Sequence, residues 1–547
     1  MKKSLFTAIF LGMLGAAAQA QPSSISRNAA GTWQLLVDGK PYIMISGELH
    51  NSSASTAAYM DEEIWPAVEA LGLNSIILPV AWEQIEPEEG RFDMSIVDEL
   101  IAGAEKHDKR LAILWFGTWK NAESLYCPVW VKKDTKRFFR ALTKDGQPCR
   151  AISPFCEEAL KADRNAYVTL LRHIREVDRT GRVILMQIEN EVGLLAMDYD
   201  YCKAARKFLK EQVPAELTAY MKSHDGKLTP YLSRSWESAG KKTRGSWTEV
   251  FGDGPEARSF ALTWQYGRFM GEIAAAGKAV YALPAYVNAW LTDDAGEEPT
   301  TSYPNGGPVS RALDVWKAAA PAVDVLAPDI YRPNYKEILT WFHRDDNPLL
   351  IPESAPVPGR ALYAFGAHSA LCFAPFGIED TASDGEMVGT MKLARELEPL
   401  ILESQGSELM QAFLKEGAER DTTLVFGDTR LKVLYDAEGP SYGLVIRTAE
   451  DEFTVAGLGA KVIFLSADPA KSAQLGTVKE GGFDADGTWH TRRWLNGDET
   501  MSGNYLELAG RAVMGKPAPG IYKVTTFTMP KVFNGVMTHF GGEVGYF

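Results

Sequence analysis

Cysteine is scarce in this 547-residue chain, with five residues scattered along it. That excludes a scaffold stapled by disulfides. Cys149 and Cys156 are near enough in sequence to pair, and two buried free thiols are the alternative. Histidine is also sparse, with eight residues. No His-x-x-x-His or paired-Cys motif occurs, so no metal is expected. No cofactor is expected either. "GEIAAAGKA" (271–279) has one residue too many for a phosphate loop and lacks its Ser/Thr. "GLGAKV" (457–462) lacks the third glycine of a dinucleotide loop, and there is no Gly-x-Ser-x-Gly elbow. Positive charge is outnumbered, 57 basic against 71 acidic residues, which disfavours a nucleic-acid partner. Beyond the first twenty residues no apolar run reaches membrane-spanning length, so no stable membrane insertion is expected. Low-complexity tracts and internal repeats are absent.

What is present begins with "MKKSLFTAIFLGMLGAAAQA" (1–20): two lysines, an apolar middle and a small-x-small end at Ala18-Gln19-Ala20. It reads as a secretory leader, and the expected destination is across the inner membrane, in the periplasm. The mature chain is rich in apolar residues, 46% of the whole, with fourteen Trp and twenty Tyr.

Buried-type strands then alternate with amphipathic helices. Strands are expected at 42–46, 74–80, 111–116, 183–189, 283–290, 323–331, 348–354 and 370–376. Helices are expected near 61–71, 94–107, 163–177 and 258–280, with a helical insertion over 203–253. This alternation predicts an α/β fold, a (β/α)8 barrel spanning 21–385. A helical connection follows over 386–414. From 415 to 547 short strands separated by Gly, Asp and Asn turns predict an all-β, sandwich-like domain. In it, Trp489, His490 and Trp494 read as a satellite core rather than a sugar site. His107 and His173 read as packing or surface residues of helices.

Chemistry is expected where barrel strands end. Strand four ends in "QIENEVG" (187–193) and strand seven in "IPES" (351–354). In a closed barrel Glu191 and Glu353 face each other across the mouth, and two such carboxyls are what glycoside hydrolysis needs. Strand alternation puts Glu189 on the Gln187 face, pointing into the barrel as a supporting group. Trp82, Trp119, Trp290 and Tyr331 follow other strands and are candidate walls or stacking platforms.

"QIENEVG" resembles glycoside hydrolase family 35 β-galactosidases of clan A, and so do "GLNSIILPVAWEQIEPEEGRFD" (72–93), "ISGELH" (45–50) and "CPVWV" (127–131). The resemblance covers about residues 32–380, and the terminal β domain resembles one appended in a bacterial branch that includes xyloglucan-active enzymes. It implies a retaining exo-β-galactosidase with Glu191 as acid/base, Glu353 as nucleophile and Asn190 on the sugar 2-hydroxyl. An oligosaccharide or polysaccharide such as xyloglucan would be the partner. Where many members carry Ala-Glu-Trp, this chain has Thr118 in place of the Glu, which leaves hydroxyl contacts to Lys120, Asn121 or Glu48. A hydrolase for another sugar (a β-glucosidase or an α-L-arabinosidase) and a non-catalytic carbohydrate-binding barrel are the alternatives. Nothing in the sequence fixes the oligomeric state.

Overall fold

The computed structural model describes residues 21–291, 303–484, 487–495, 503–508 and 518–531. The expected leader, 1–20, lies outside them. The chain opens with a three-stranded antiparallel sheet, β1 (Ser24–Arg27), β2 (Trp33–Val37) and β3 (Lys40–Tyr42). Then come β4 (Met44–Ile45), β5 (Ser75–Ala81) and β6 (Arg110–Lys120), a small hairpin β7 (Arg140–Leu142) and β8 (Pro148–Ile152), and β9 (Val183–Asn190). The strands β10 (Ala285–Trp290), β11 (Val325–Ile330), β12 (Ile351–Ser354) and β13 (Cys372–Pro375) complete the set. Eight of them form one parallel sheet in the order β4-β13-β12-β11-β10-β9-β6-β5. The backbone of Glu48 closes it, bridging to Ile77 of β5 on one side and to Phe376 on the other. The expected (β/α)8 barrel is the observed fold.

Period two divides the strands into a lumen set and an outer set. Met44, Ile77, Ala112, Leu114, Phe116, Tyr286, Val325, Ala327, Cys372 and Ala374 pack together inside. Ile45, Ile76, Leu78, Val80, Ile113, Trp115, Val287 and Phe373 face the helices. Leu35 and Val37 of β2 belong to the inner cluster, so the opening sheet plugs the barrel end opposite the strand C-termini. Two long helices, Glu157–Val177 and Pro255–Val280, pack side by side outside β9, where Gly277 lets Tyr167 and Leu171 approach.

The insertion over 203–253 holds four short helices, from Lys203–Phe208 to Trp247–Phe251. The helical connection ends earlier than its expected bound at 414. A helix covers Gly385–Ser404, but Met410–Leu414 is strand β14, paired antiparallel with Tyr442–Ile446. Its side chains alternate between two cores. Met410, Ala412 and Leu414 join the barrel core, whereas Phe413 joins the terminal one.

The terminal domain continues through β15 (Asp421–Phe426), β16 (Thr429–Tyr435), β17 (Tyr442–Ala449), β18 (Glu452–Leu458) and β19 (Ala460–Ser466). It ends in β20 (Lys471–Phe483), β21 (Trp489–Leu495), β22 (Tyr505–Glu507) and β23 (Gly520–Pro530). A six-stranded and a four-stranded antiparallel sheet enclose a shared core that includes Phe413, Phe426, Val433, Val455, Phe464 and Val524. Trp489 packs edge-on to Phe483, and Trp494 is exposed beneath Lys479, so the expected Trp489/His490/Trp494 cluster is not formed. All five cysteines are free, so Cys149 and Cys156 do not pair. Cys149 instead contacts the Met197 sulfur, and Cys156 is buried.

Leu35 has no exposed surface, and its loss would leave a cavity under the barrel. Leu35→Ala should cost about 2–5 kcal/mol and lower the thermal unfolding midpoint measured by calorimetry.

Candidate active site

Six strand ends deliver polar side chains to one space at the C-terminal mouth. They are Glu48 after β4, Lys120 on β6, Asn190 with Glu191 at the end of β9, Asn288 on β10, Asp329 on β11 and Glu353 on β12. Register brings them together. Lys120 lies opposite Asn190, and Asp329 opposite Glu353. Carboxylate oxygens of Glu191, Asp329 and Glu353 lie within 4.8 Å of one another. Glu191 and Glu353 are each 6% exposed, and Glu48 is fully buried. Glu191 sits at φ +47, a left-handed conformation that costs a non-glycine residue energy and is typical of functional positions. Its N–H donates to Asn288 Oδ1 (2.9 Å), and Asn288 Nδ2 donates to Asp329 Oδ2 (2.7 Å).

Among the described residues, several carboxyls and one ammonium share this space. Lys120 Nζ donates to Asn190 Oδ1 (2.9 Å), and its charge favours the ionised forms of Glu48, Glu191 and Glu353. Burial works against all of them. It pushes Glu191 up to about 7, helped by the charge of Glu353. Burial and neighbouring carboxylates also hold Asp329 and Glu48 well above the usual carboxylate range. Glu353 is raised by burial, but it accepts from the Tyr331 hydroxyl (2.5 Å), and Lys120 and the Asn190 amide pull it back. The environment therefore sorts the acids: Glu353, which meets the most donors, gives up its proton before Glu191, Asp329 and Glu48. Three carboxylates so placed are also an oxygen set of the kind that hard cations take.

Orphaned polar atoms collect here too. Both Glu48 oxygens, Ser46 Oγ, Gln187 Oε1, Asn190 Nδ2, Asp329 Oδ1, Glu353 Oε2 and the Tyr286 hydroxyl are buried without a full hydrogen bond. Burying such atoms unpaired is costly, and a ligand rich in hydroxyls would satisfy them. A separate cavity of about 850 Å³ lies outside the lumen, lined by Phe139, Leu142, Cys149, Arg150 and Lys203 among others. It contains none of the buried acids.

The structure redistributes the expected platforms. Trp290 (37% exposed) and Tyr331 (51% exposed) stand at the mouth. Trp82 and Trp119 do not. Trp82 is sealed in the outer core, its Nε1 on Glu86 (2.6 Å) and its ring against Trp130. Trp119 donates to the Ile152 carbonyl (3.0 Å) and packs on Tyr266 and Phe269. Both lie on the helix-facing side, so neither is a sugar platform. Thr118 is fully buried and bonds Asp163 of the helix Glu157–Val177, away from the lumen. Asn121 donates its N–H to the Asn190 carbonyl (3.1 Å). Glu189 does not point into the barrel. Its φ of +60 breaks the alternation and turns it outward, toward Thr118 and Trp119.

Asn288 and Asp329 were not anticipated from the sequence. A signal existed: each is a polar residue inside an apolar strand, two positions before Trp290 and Tyr331 and so on the same lumen-facing parity.

Residues 34–234 match the glycosyl hydrolases family 35. This segment carries Glu48, Lys120, Asn190 and Glu191 but ends before Glu353. Residues 389–507 match a domain of unknown function, DUF5597. A β-galactosidase of Xanthomonas manihotis is 29% identical over 189 residues, which are 34% of this chain and 29% of that one. "Beta-galactosidase 11" of Arabidopsis thaliana is 24% identical over 272 residues, 44% of this chain and 30% of that one. The chain thus spans under a third of the length of these curated relatives. Among solved structures, a β-galactosidase from Bacillus circulans sp. alkalophilus aligns over 66% of this chain and 57% of its own, with 14% identity and TM-score 0.45. The catalytic domain of a Paenibacillus polymyxa β-amylase aligns over 63% of this chain and 96% of its own, with 13% identity and TM-score 0.45.

The raised acids make stability depend on pH. The folded state keeps a proton on Glu191 up to about 7, whereas the ordinary value is 4.5. The contribution of Glu191 to stability is therefore greatest below the ordinary value, falls as pH rises through this window and levels off above it. Glu48→Gln removes one buried acid that no donor faces. It should raise the unfolding midpoint more at pH 8 than at pH 5, and an equal shift at both would count against a protonated Glu48.

Proposed function

We propose that this protein is an exported, retaining exo-β-galactosidase that works in the periplasm. The observation that carries the reading is the Glu191/Glu353 pair, with oxygens within 4.8 Å, one pushed up to about 7 and the other accepting the Tyr331 hydroxyl. Glu353 attacks the anomeric carbon as the bond to the departing oxygen breaks, and Glu191 gives that oxygen its proton. Glu191, now ionised, takes a proton from water as the water oxygen displaces Glu353, releasing galactose with its β configuration. Retaining sites hold their carboxyls about 5–5.5 Å apart and inverting sites about 6.5–9.5 Å, so the closeness of the pair supports retention. The deep burial of the pair supports removal of a terminal residue rather than cleavage within a chain. The family match and the named relatives support β-galactoside as the substrate, and galactosylated plant polysaccharide such as xyloglucan is proposed by analogy. A second reading, the same chemistry on another sugar, is favoured by one observation: Thr118 turns to Asp163 and contributes nothing to the lumen.

The purified mature protein should release nitrophenol from β-galactoside in preference to β-glucoside and α-arabinoside. Selective release from either of the others would move the assignment to that sugar. Glu353→Gln should abolish turnover while oligosaccharide binding persists in calorimetry. Glu191→Gln should lower the rate on natural leaving groups by about 10²–10⁴-fold, and by less on nitrophenyl glycosides, whose leaving oxygen needs little protonation. In the wild type, kcat/KM should fall as pH rises through about 7, where Glu191 loses its proton.

A further inference from the structure

Behind the mouth, outside the lumen, lies a second acid pair that the mechanism does not use. The β6–β9 ladder runs regularly from Ala112 opposite Leu185 to Trp115 opposite Ile188, then breaks, and resumes with Lys120 opposite Asn190. Five steps along β6 thus meet two along β9. The looped-out stretch would leave backbone N–H groups unpaired inside the protein, which is costly. Two carboxyls meet them. Glu189 accepts from Thr118 N (2.9 Å) and Trp119 N (2.7 Å). Asp163, on the helix Glu157–Val177, accepts from Thr118 N (3.0 Å), Thr118 Oγ1 (2.5 Å) and Trp115 Nε1 (2.8 Å). The one Thr118 N–H is thus shared between the two acids. Gly117 is what admits them: a Cβ there would lie 2.6 Å from Glu189 Oε1 and 2.7 Å from Asp163 Oδ1.

Both acids are fully buried. Glu86, Cys127, Tyr167 and Tyr266 sense their charge, and Cys127 also senses Lys132 and Arg140. A buried carboxylate is harder to ionise beside a second one. Burial and the charge of Asp163 accordingly push Glu189 well above the ordinary range.

We propose that Glu189 holds a proton beside Asp163 and that the two serve as positioning residues: by capping the bulge in β6 they set Lys120 on Asn190, and with it the amide that meets the sugar. The proton count stands independently of the galactosidase reading, and the positioning role rests on it. Neither side chain reaches the reacting atoms.

The test uses the full mature protein and the variants Asp163→Asn and Glu189→Gln. The unfolding midpoint is followed from pH 5 to pH 9 by calorimetry. Glu189→Gln, with the protonated acid removed, should lose from the wild-type profile a slope equal to one proton. A slope unchanged from wild type in Glu189→Gln overturns the buried proton, whether or not any glycoside is hydrolysed. For the positioning role, kcat/KM is measured on nitrophenyl β-galactoside and on its 2-deoxy analogue. Displacing Asn190 should cost about tenfold to a hundredfold on the parent and clearly less on the analogue, which has no 2-hydroxyl to lose. An equal penalty on both substrates, no penalty, or failure of both variants to fold at pH 5 overturns the positioning role. Absence of turnover in the wild type on every glycoside overturns the galactosidase reading and the positioning role with it, and leaves the proton count to the calorimetry.

Discussion

Among the described residues, four carboxyl groups around a single ammonium, all withdrawn from water, are the constraint on which the chemistry of this barrel depends. At neutral pH they cannot all be ionised, because each added charge raises the cost of the next. What distinguishes them is the hydrogen-bond donors that each one meets. Glu353 receives the Tyr331 hydroxyl and the influence of Lys120 and Asn190, whereas no donor faces either oxygen of Glu48. Asp329 spends one oxygen on Asn288, which also fixes the backbone of Glu191. The same amide thus joins the position of the proposed acid to a second proton-holding group.

The barrel was legible because its strands are buried on both faces and its helices on one, and these patterns survive without any knowledge of contacts. The positions of Glu191 and Glu353 followed from the same logic, each closing an apolar run. Parity carried more information than was drawn from it. Trp82 shares the outward parity of Leu78 and Val80, which already sets it against the helices, and Asn288 and Asp329 share the inward parity of the mouth aromatics. Glu189 was not recoverable that way. Alternation assumes an extended backbone, and a left-handed residue beside a bulge inverts it. Strand β14 was hidden for a different reason: "MQAFL" is made of helix-compatible residues and follows a long helix, so only its partner Tyr442–Ile446 makes it a strand.

The seam of the barrel and the floor of its site are one residue. Strand β4 is short, and closure is completed by the backbone of Glu48, whose N–H reaches the Pro375 carbonyl while the neighbouring Leu49 N–H reaches Ile77. The side chain that enters the mouth at this point is therefore held from both sides by main-chain bonds. A carboxyl with no partner of its own keeps its place because its backbone cannot move without opening the barrel.

The six-stranded sheet of the terminal domain is apolar on both faces. One face joins the four-stranded sheet; the other places Tyr442, Leu444 and Ala412 against Gly359 and Gly366 of the barrel's penultimate βα unit. The boundary visible in the sequence is therefore a change of secondary structure and not a place where the chain divides. A barrel cut free before Met410 would present a bare greasy flank to water, and a terminal domain expressed alone would present the matching one. Either piece would be prone to clump with its own kind, so each half keeps the other soluble.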